Sequence, residues 1–156
     1  WTDPLVEEGE VAADYLEELL DIADLDGDID IEVRDGRTYV SVVAEDSDDS
    51  PLRELVGENG ETVEALQELA RLSVLSATQR RSRLILDIAG HRDERASELR
   101  EMAQGAKVES EGGSVHLPPL SPYERKIVHD AVADAGLVSE SEGDGAGRHI
   151  VVSAAQ

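Results

Sequence analysis

Two spacings in this chain suit recognition chemistry. Arg125 and His129 stand four residues apart with Lys126 beside the arginine, so on a helix Arg125 and His129 share one face. Arginine can hold a phosphate in two parallel hydrogen bonds, and histidine can donate one more or stack on a base. The same residues also suit a solvated helix face, with Ile127, Val128, Ala131 and Val132 forming the side that docks. The second spacing is Gly57-Glu58-Asn59-Gly60, where an apolar segment runs into two glycines and a helix is expected near Glu61. Its glycines permit a tight turn and a close approach by another group. The helix start then directs unpaired N–H groups at that approach, an arrangement suited to phosphate. Alone, G-x-x-G is a common structural turn. Glu58 repels phosphate, and Glu61 and Glu64 add negative charge while stabilising the helix N-terminus.

Further basic residues could extend either surface. Arg80, Arg81 and Arg83 are the densest cluster, with Arg71 expected toward the same end of the preceding helix; they suit a phosphate backbone or helix C-terminal charge compensation. Arg148 and His149 follow a glycine-rich segment. Other chemistries find less support. Asp24, Asp26, Asp28 and Asp30 surround Gly27, but a calcium loop counted from Asp24 needs glycine at its sixth position and glutamate at its twelfth; glycine falls fourth and Asp35 twelfth. His91, His116, His129 and His149 show no close metal-ligand spacing. No phosphate-binding loop, dinucleotide fingerprint or nucleophile elbow is present, so the expectation is a non-enzyme without metal or cofactor.

The chain of 156 residues carries a formal charge of −22, unevenly distributed. Residues 1–50 are net −16, residues 51–110 net −2 and residues 111–156 net −4, which leaves room for a basic face in the last two thirds. The absence of cysteine excludes disulfides and thiolate metal sites. No apolar run reaches membrane-spanning length and no leader pattern is visible, so a cytoplasmic location is expected. Beginning at Trp1 rather than Met suggests a piece of a longer chain. Scarce aromatics, with no Phe, argue against a stacking platform; Val56, Val63 and the segment Leu84 to Ile88 are candidates for an apolar groove instead.

Hydrophobic periodicity places helices over about 5–23, 52–56, 62–77 and 92–106, and a last one from Ser121 to near Gly136. Strands are expected at 29–34, 38–43, 83–89, 114–117, 137–139 and 149–152, with Asp35-Gly36 turning a hairpin. Ile29, Ile31 and Val33 form the inward set of the first strand. Ser121, Pro122 and Glu124 give an N-cap, a first-turn proline and a capping box. The fold class is α+β, with two small units meeting near Gly90, at 1–90 and 91–156.

The first unit resembles a type II KH domain, whose order is helix, strand, strand, helix, G-x-x-G, helix, strand. The second resembles an R-three-H domain through Ser121-Pro122-Tyr123-Glu124-Arg125 and His129, and through Ser141-Glu142-Gly143-Asp144-Gly145 with Arg148. This tandem is the layout of the bacterial Jag/KhpB family of SpoIIIJ-associated RNA-binding proteins; a further Jag-N domain common in that family is not seen in this sequence. The resemblance implies binding of single-stranded RNA, with contacts from Gly57, Glu58, Asn59 and Gly60, from Arg80, Arg81 and Arg83, and from Arg125, Lys126, His129 and Arg148. It also implies RNA chaperoning or post-transcriptional control linked to cell elongation, and partnership with a small single-KH protein or with itself. The alternative is a protein–protein module whose KH unit no longer binds RNA.

Overall fold

A computed structural model of the chain describes residues 1–109 and 113–154, with backbone alone for 107–109. The chain divides into two compact units, Trp1–Arg92 and Asp93–Gln156. Each has its own apolar core. Both mix helices with a sheet, so the fold class is α+β.

In the first unit α1 (Pro4–Ile22) starts where the Asp3 side chain accepts a hydrogen bond from Leu5 N, with proline in the first turn. Its stripe of Ala12, Leu16 and Leu20 is buried. Gly9 faces Ile31, and a Cβ there would collide with that side chain, so glycine sets how closely the helix approaches the sheet. Strands β1 (Asp28–Arg34) and β2 (Arg37–Val43) form an antiparallel hairpin. Asp35 and Gly36 at its turn have φ of 51° and 69°, the double positive φ that a tight two-residue connection requires. β1 differs from expectation: Ile29 and Ile31 are only half-buried and Val33 is exposed. The strand lies at the sheet edge, and Val33 beside the turn falls outside the core.

The helix expected over 52–56 is displaced to α2 (Ser50–Arg53), because Pro51 opens it at its first turn. Single-turn bonds from Leu55 N to Leu52 O and from Val56 N to Arg53 O then carry the chain to the glycines. After a 3-10 turn at Glu58–Gly60 comes α3 (Glu61–Thr78), closed by Gln79 in the left-handed region. β3 (Ile85–Ile88) pairs parallel with β2, giving the order β1-β2-β3. Leu84, Leu86 and Ile88 are fully buried, as their alternation implies. Val56 and Val63 are buried with them, so these candidates for an apolar groove are core side chains.

Side chains occupy the free edge of β3. Arg71 Nε donates to Leu84 O at 3.0 Å and Arg92 Nε to Leu86 O at 2.7 Å. Gln67, 5 % exposed, accepts from Leu86 N at 3.1 Å and from Arg92 at 2.7 Å. An exposed strand edge is a template for further pairing, and these side chains satisfy it instead. Arg71 therefore serves the fold and is not part of a basic surface.

The second unit is built on α4 (His91–Glu109), whose first two residues belong to the first unit, and on β4 (Ser114–His116), α5 (Pro122–Asp134), β5 (Val138–Glu142) and β6 (His149–Ser153). Its antiparallel sheet has the order β4-β6-β5, so the chain's last strand lies in the middle. Leu99 and Ala103 of α4 and Val128 and Val132 of α5 pack with Ile150 and Val152 of β6. Ser121 caps α5 by accepting from Glu124 N. The capping box is only half made. Glu124 turns its carboxylate to Arg95, which donates from Nε and Nη2 at 3.1 and 3.0 Å. Burial opposes the charge of Arg95, but hydrogen bonds to Glu124 and Glu98 raise its pKa above the ordinary arginine value.

Candidate nucleic-acid interface

The glycine turn of the first unit is shaped by its own neighbours. Gly57 has φ 76° and ψ 178°, a conformation open essentially to glycine alone, and a Cβ there would strike Thr62 Oγ1. Asn59 (φ 54°) and Gly60 (φ 77°) follow in the left-handed region, which asparagine tolerates. A Cβ at Gly60 would lie 2.7 Å from His91 Nε2. The close approaches that demand glycine are thus made by Thr62 and His91. The amides expected to face a phosphate are also engaged: Thr62 N and Val63 N donate to Val56 O at 3.0 and 3.1 Å, Gly60 N to Gly57 O, and Glu61 N to Glu58 O. Gly60 is buried, whereas Glu58 and Asn59 are exposed and Gly57 half-buried. The reachable part of the turn is therefore Gly57 to Asn59, with the Glu58 carboxylate on it.

The arginine cluster divides. Arg80 pairs with Glu7 at 3.2 Å. Arg81 and Arg83 are exposed and have no hydrogen-bond or ion-pair partner among the described residues.

Arg125, Lys126 and His129 lie on α5 as their spacing requires, but they do different things. His129 is committed: Nδ1 meets Ser139 Oγ at 2.6 Å and Nε2 meets Ser141 Oγ at 2.9 Å, tying α5 to β5. Hydroxyls can donate or accept, so they satisfy both nitrogens of a neutral imidazole. With both nitrogens engaged in the ring plane, His129 has no free donor among the described residues, while these bonds leave its ring faces uncovered. His129→Ala is expected to cost about 1–3 kcal/mol of stability in the second unit, measured by urea unfolding. The salt dependence of nucleic-acid binding should remain that of the parent, because no phosphate contact is removed. Lys126 is exposed and pairs with Asp130 at 3.1 Å, a surface pair of small worth.

Arg125 has no ion pair among the described residues, and its buried Nε has no hydrogen-bond partner. It lines a groove of about 530 Å³ with Ser121, Pro122, Gly145, Ala146 and Arg148. Arg148 donates from Nη1 to Gly143 O at 2.9 Å. The glycine-rich turn is held by Gly147 N to Asp144 O and Arg148 N to Gly145 O, at 3.1 and 3.2 Å. Arg125 and Arg148 thus both line one open, partly apolar groove. That arrangement suits a phosphate with its sugar or base. Sequence reasoning found Arg125 and Arg148 but not the groove between them; Pro119 to Pro122 on one wall and Gly145-Ala146 on the other were signals of loop chemistry.

Residues 97–154 match the R-three-H domain family. Over 145 residues the chain is 31% identical to the RNA-binding protein KhpB of Clostridium symbiosum, covering 91% of this chain and 64% of that protein. This alignment and the R-three-H match support the Jag/KhpB family. Proteins of the same name from Lactiplantibacillus plantarum and Bacillus subtilis are each 30% identical, over 143 and 104 residues. These alignments cover 90% and 64% of this chain, and 43% and 50% of those proteins. The chain thus spans less than two thirds of the length of these curated relatives. The R-three-H match contains Arg125, Lys126, His129 and Arg148, whereas the G-x-x-G turn lies outside it. Among the described residues, no helix is long and apolar enough to cross a membrane.

Proposed function

We propose that this chain binds single-stranded RNA without catalysing a reaction, and that its R-three-H unit supplies the main phosphate contact. The observation that carries this reading is Arg125, with no ion pair among the described residues, lining one groove with Arg148. In a chain with 36 acidic residues against 14 Lys and Arg, arginines readily find carboxylates: Arg53, Arg71, Arg80, Arg92 and Arg95 all do. A half-buried arginine without one is available to an external anion. The relatives' name, RNA-binding protein KhpB, supports RNA as that anion.

The first unit, taken as 1–90, is a type II KH domain on this reading, supported by its element order and its sheet of one antiparallel and one parallel pair. Its contribution to RNA is weak, because Glu58 stands on the reachable part of the turn. Arg81 and Arg83 steer the strand at longer range. The family resemblance extends the proposal to RNA chaperoning or post-transcriptional control linked to cell elongation, in the cytoplasm, with a small single-KH protein or a second copy as partner.

Fluorescence anisotropy of a short labelled single-stranded RNA across a salt series tests the reading. Glu58→Lys should tighten binding by about 3- to 10-fold at low salt, since it replaces a repulsive charge with an attractive one. No binding by the parent at low salt would overturn it. In that event a nuclease-insensitive complex in light scattering would favour a protein–protein module, which the exposed Glu58 and the net charge of −16 over residues 1–50 motivate.

A further inference from the structure

The outer face of the second unit's sheet brings together three side chains that lie far apart in the sequence. His116 is on β4, His149 on β6 and Glu142 on β5. Glu142 and His149 are direct register partners, while His116 pairs with Val151, two residues along β6 from His149. Alternation turns Ile150 and Val152 into the core and leaves His149 on the opposite face with His116. One ligand atom from each of the three lies within 4.8 Å of the others, the only such group among the described residues. The Asp24–Asp30 run does not form one.

We propose that His116, His149 and Glu142 bind one divalent transition-metal cation of the zinc class. Two imidazoles and a carboxylate are a known zinc donor set, with a fourth position left open to water. His116 Nδ1 and His149 Nε2 are 3.0 Å apart, with ring centroids separated by 5.2 Å. Two nitrogens on one tetrahedral zinc at ordinary bond lengths are about 3.3 Å apart, so a few tenths of an ångström of opening admits the ion. His149 is already oriented for this task. Its Nδ1 donates to Gly147 O at 3.0 Å, which leaves the lone pair of Nε2 directed at His116. Without metal, that lone pair accepts the Nδ1 proton of His116. With metal, His116 carries its proton on the other ring nitrogen and both facing nitrogens coordinate the ion. The exposed Glu140 on the same face of β5 and the charge of −22 favour a cation.

The turn that orients His149 through Gly147 also lines the Arg125 groove through Gly145 and Ala146. The metal site nevertheless lies on different side chains, so it can be tested without RNA. Zinc is titrated into the full chain against a chromogenic chelator, and cobalt is used as a spectroscopic probe. The expected result is one zinc per chain, retained in excess calcium, with affinity at least about 10-fold lower in His116→Ala and in His149→Ala. Cobalt should give nitrogen-ligand absorption bands that both variants lose. Circular dichroism checks that the variants remain folded; a metal-induced shift of the His149 ring resonances in the parent gives a readout that needs no variant. Zinc binding undiminished in both variants, displacement of zinc by calcium, or no saturable binding at micromolar zinc would each overturn the proposal.

Discussion

Arg125→Glu is expected to weaken single-stranded RNA binding by about 2–3 kcal/mol, roughly 30- to 150-fold, at low salt. Among the described residues no carboxylate pairs with the parent guanidinium, so its pairing with a phosphate breaks no ion pair seen in the structure. A charge-assisted hydrogen bond is lost, and the new carboxylate repels the phosphate that Arg148 still attracts. Removing one contact should also lower the slope of log affinity against log salt by about 0.7, the counterion release per phosphate on a single strand. The fold should survive, since α5 is docked by Val128 and Val132 and tied to β5 by His129. Anisotropy across a salt series, with circular dichroism alongside, measures both effects. Equal affinity in a folded variant would remove Arg125 from the interface.

Gly57→Ala is expected to destabilise the first unit by about 3–5 kcal/mol, combining backbone strain with overpacking. At φ 76° and ψ 178° any side chain is strained whatever the space. Here the space is also taken: the added methyl would meet the Thr62 side chain and lie 2.9 Å from Thr62 N. That amide, with Val63 N, holds the start of α3 to Val56 O, so relief by moving Thr62 would disturb the helix cap. Typical domains have a net stability of only about 5–15 kcal/mol, so a large shift of the urea midpoint should be visible. Adding Thr62→Ala should recover only the part due to the Thr62 Oγ1 contact, because the Cβ and N of residue 62, at 2.8 and 2.9 Å from the added methyl, remain along with the backbone strain. A midpoint within about 0.5 kcal/mol of the parent would contradict this account of the turn.

The features readable from the sequence are those governed by neighbours along the chain. Asp35-Gly36 announced its hairpin because a two-residue connection needs two positive φ angles. Ser121-Pro122 announced the start of α5 because its cap and first turn are local. The alternation of Leu84, Leu86 and Ile88 marked a buried strand. Glu124 was misread because the capping box competes with Arg95, and that contest is decided by tertiary contact. The partners of His129 were also hidden. Ser139 and Ser141 alternate on one face of a strand, which could have signalled a shared target, but nothing in their spacing names the histidine. For the glycine turn, the residue types were informative and the reason for them was not: Gly57 yields to Thr62 and Gly60 to His91. The meeting of His116 with His149 depends on β6 entering between β4 and β5, a strand order that linear spacing does not encode.

On the proposed reading, RNA engages the groove lined by Arg125 and Arg148. Arginine side-chain Nε–Hε NMR resonances, followed while a short single-stranded RNA is added at low salt, test it most directly. Large shifts are expected for Arg125 and Arg148, smaller ones for Arg81 and Arg83, and little change for Arg95 within its pair with Glu124. Shifts confined to Arg81 and Arg83, or none at Arg125 when RNA is bound, would contradict it.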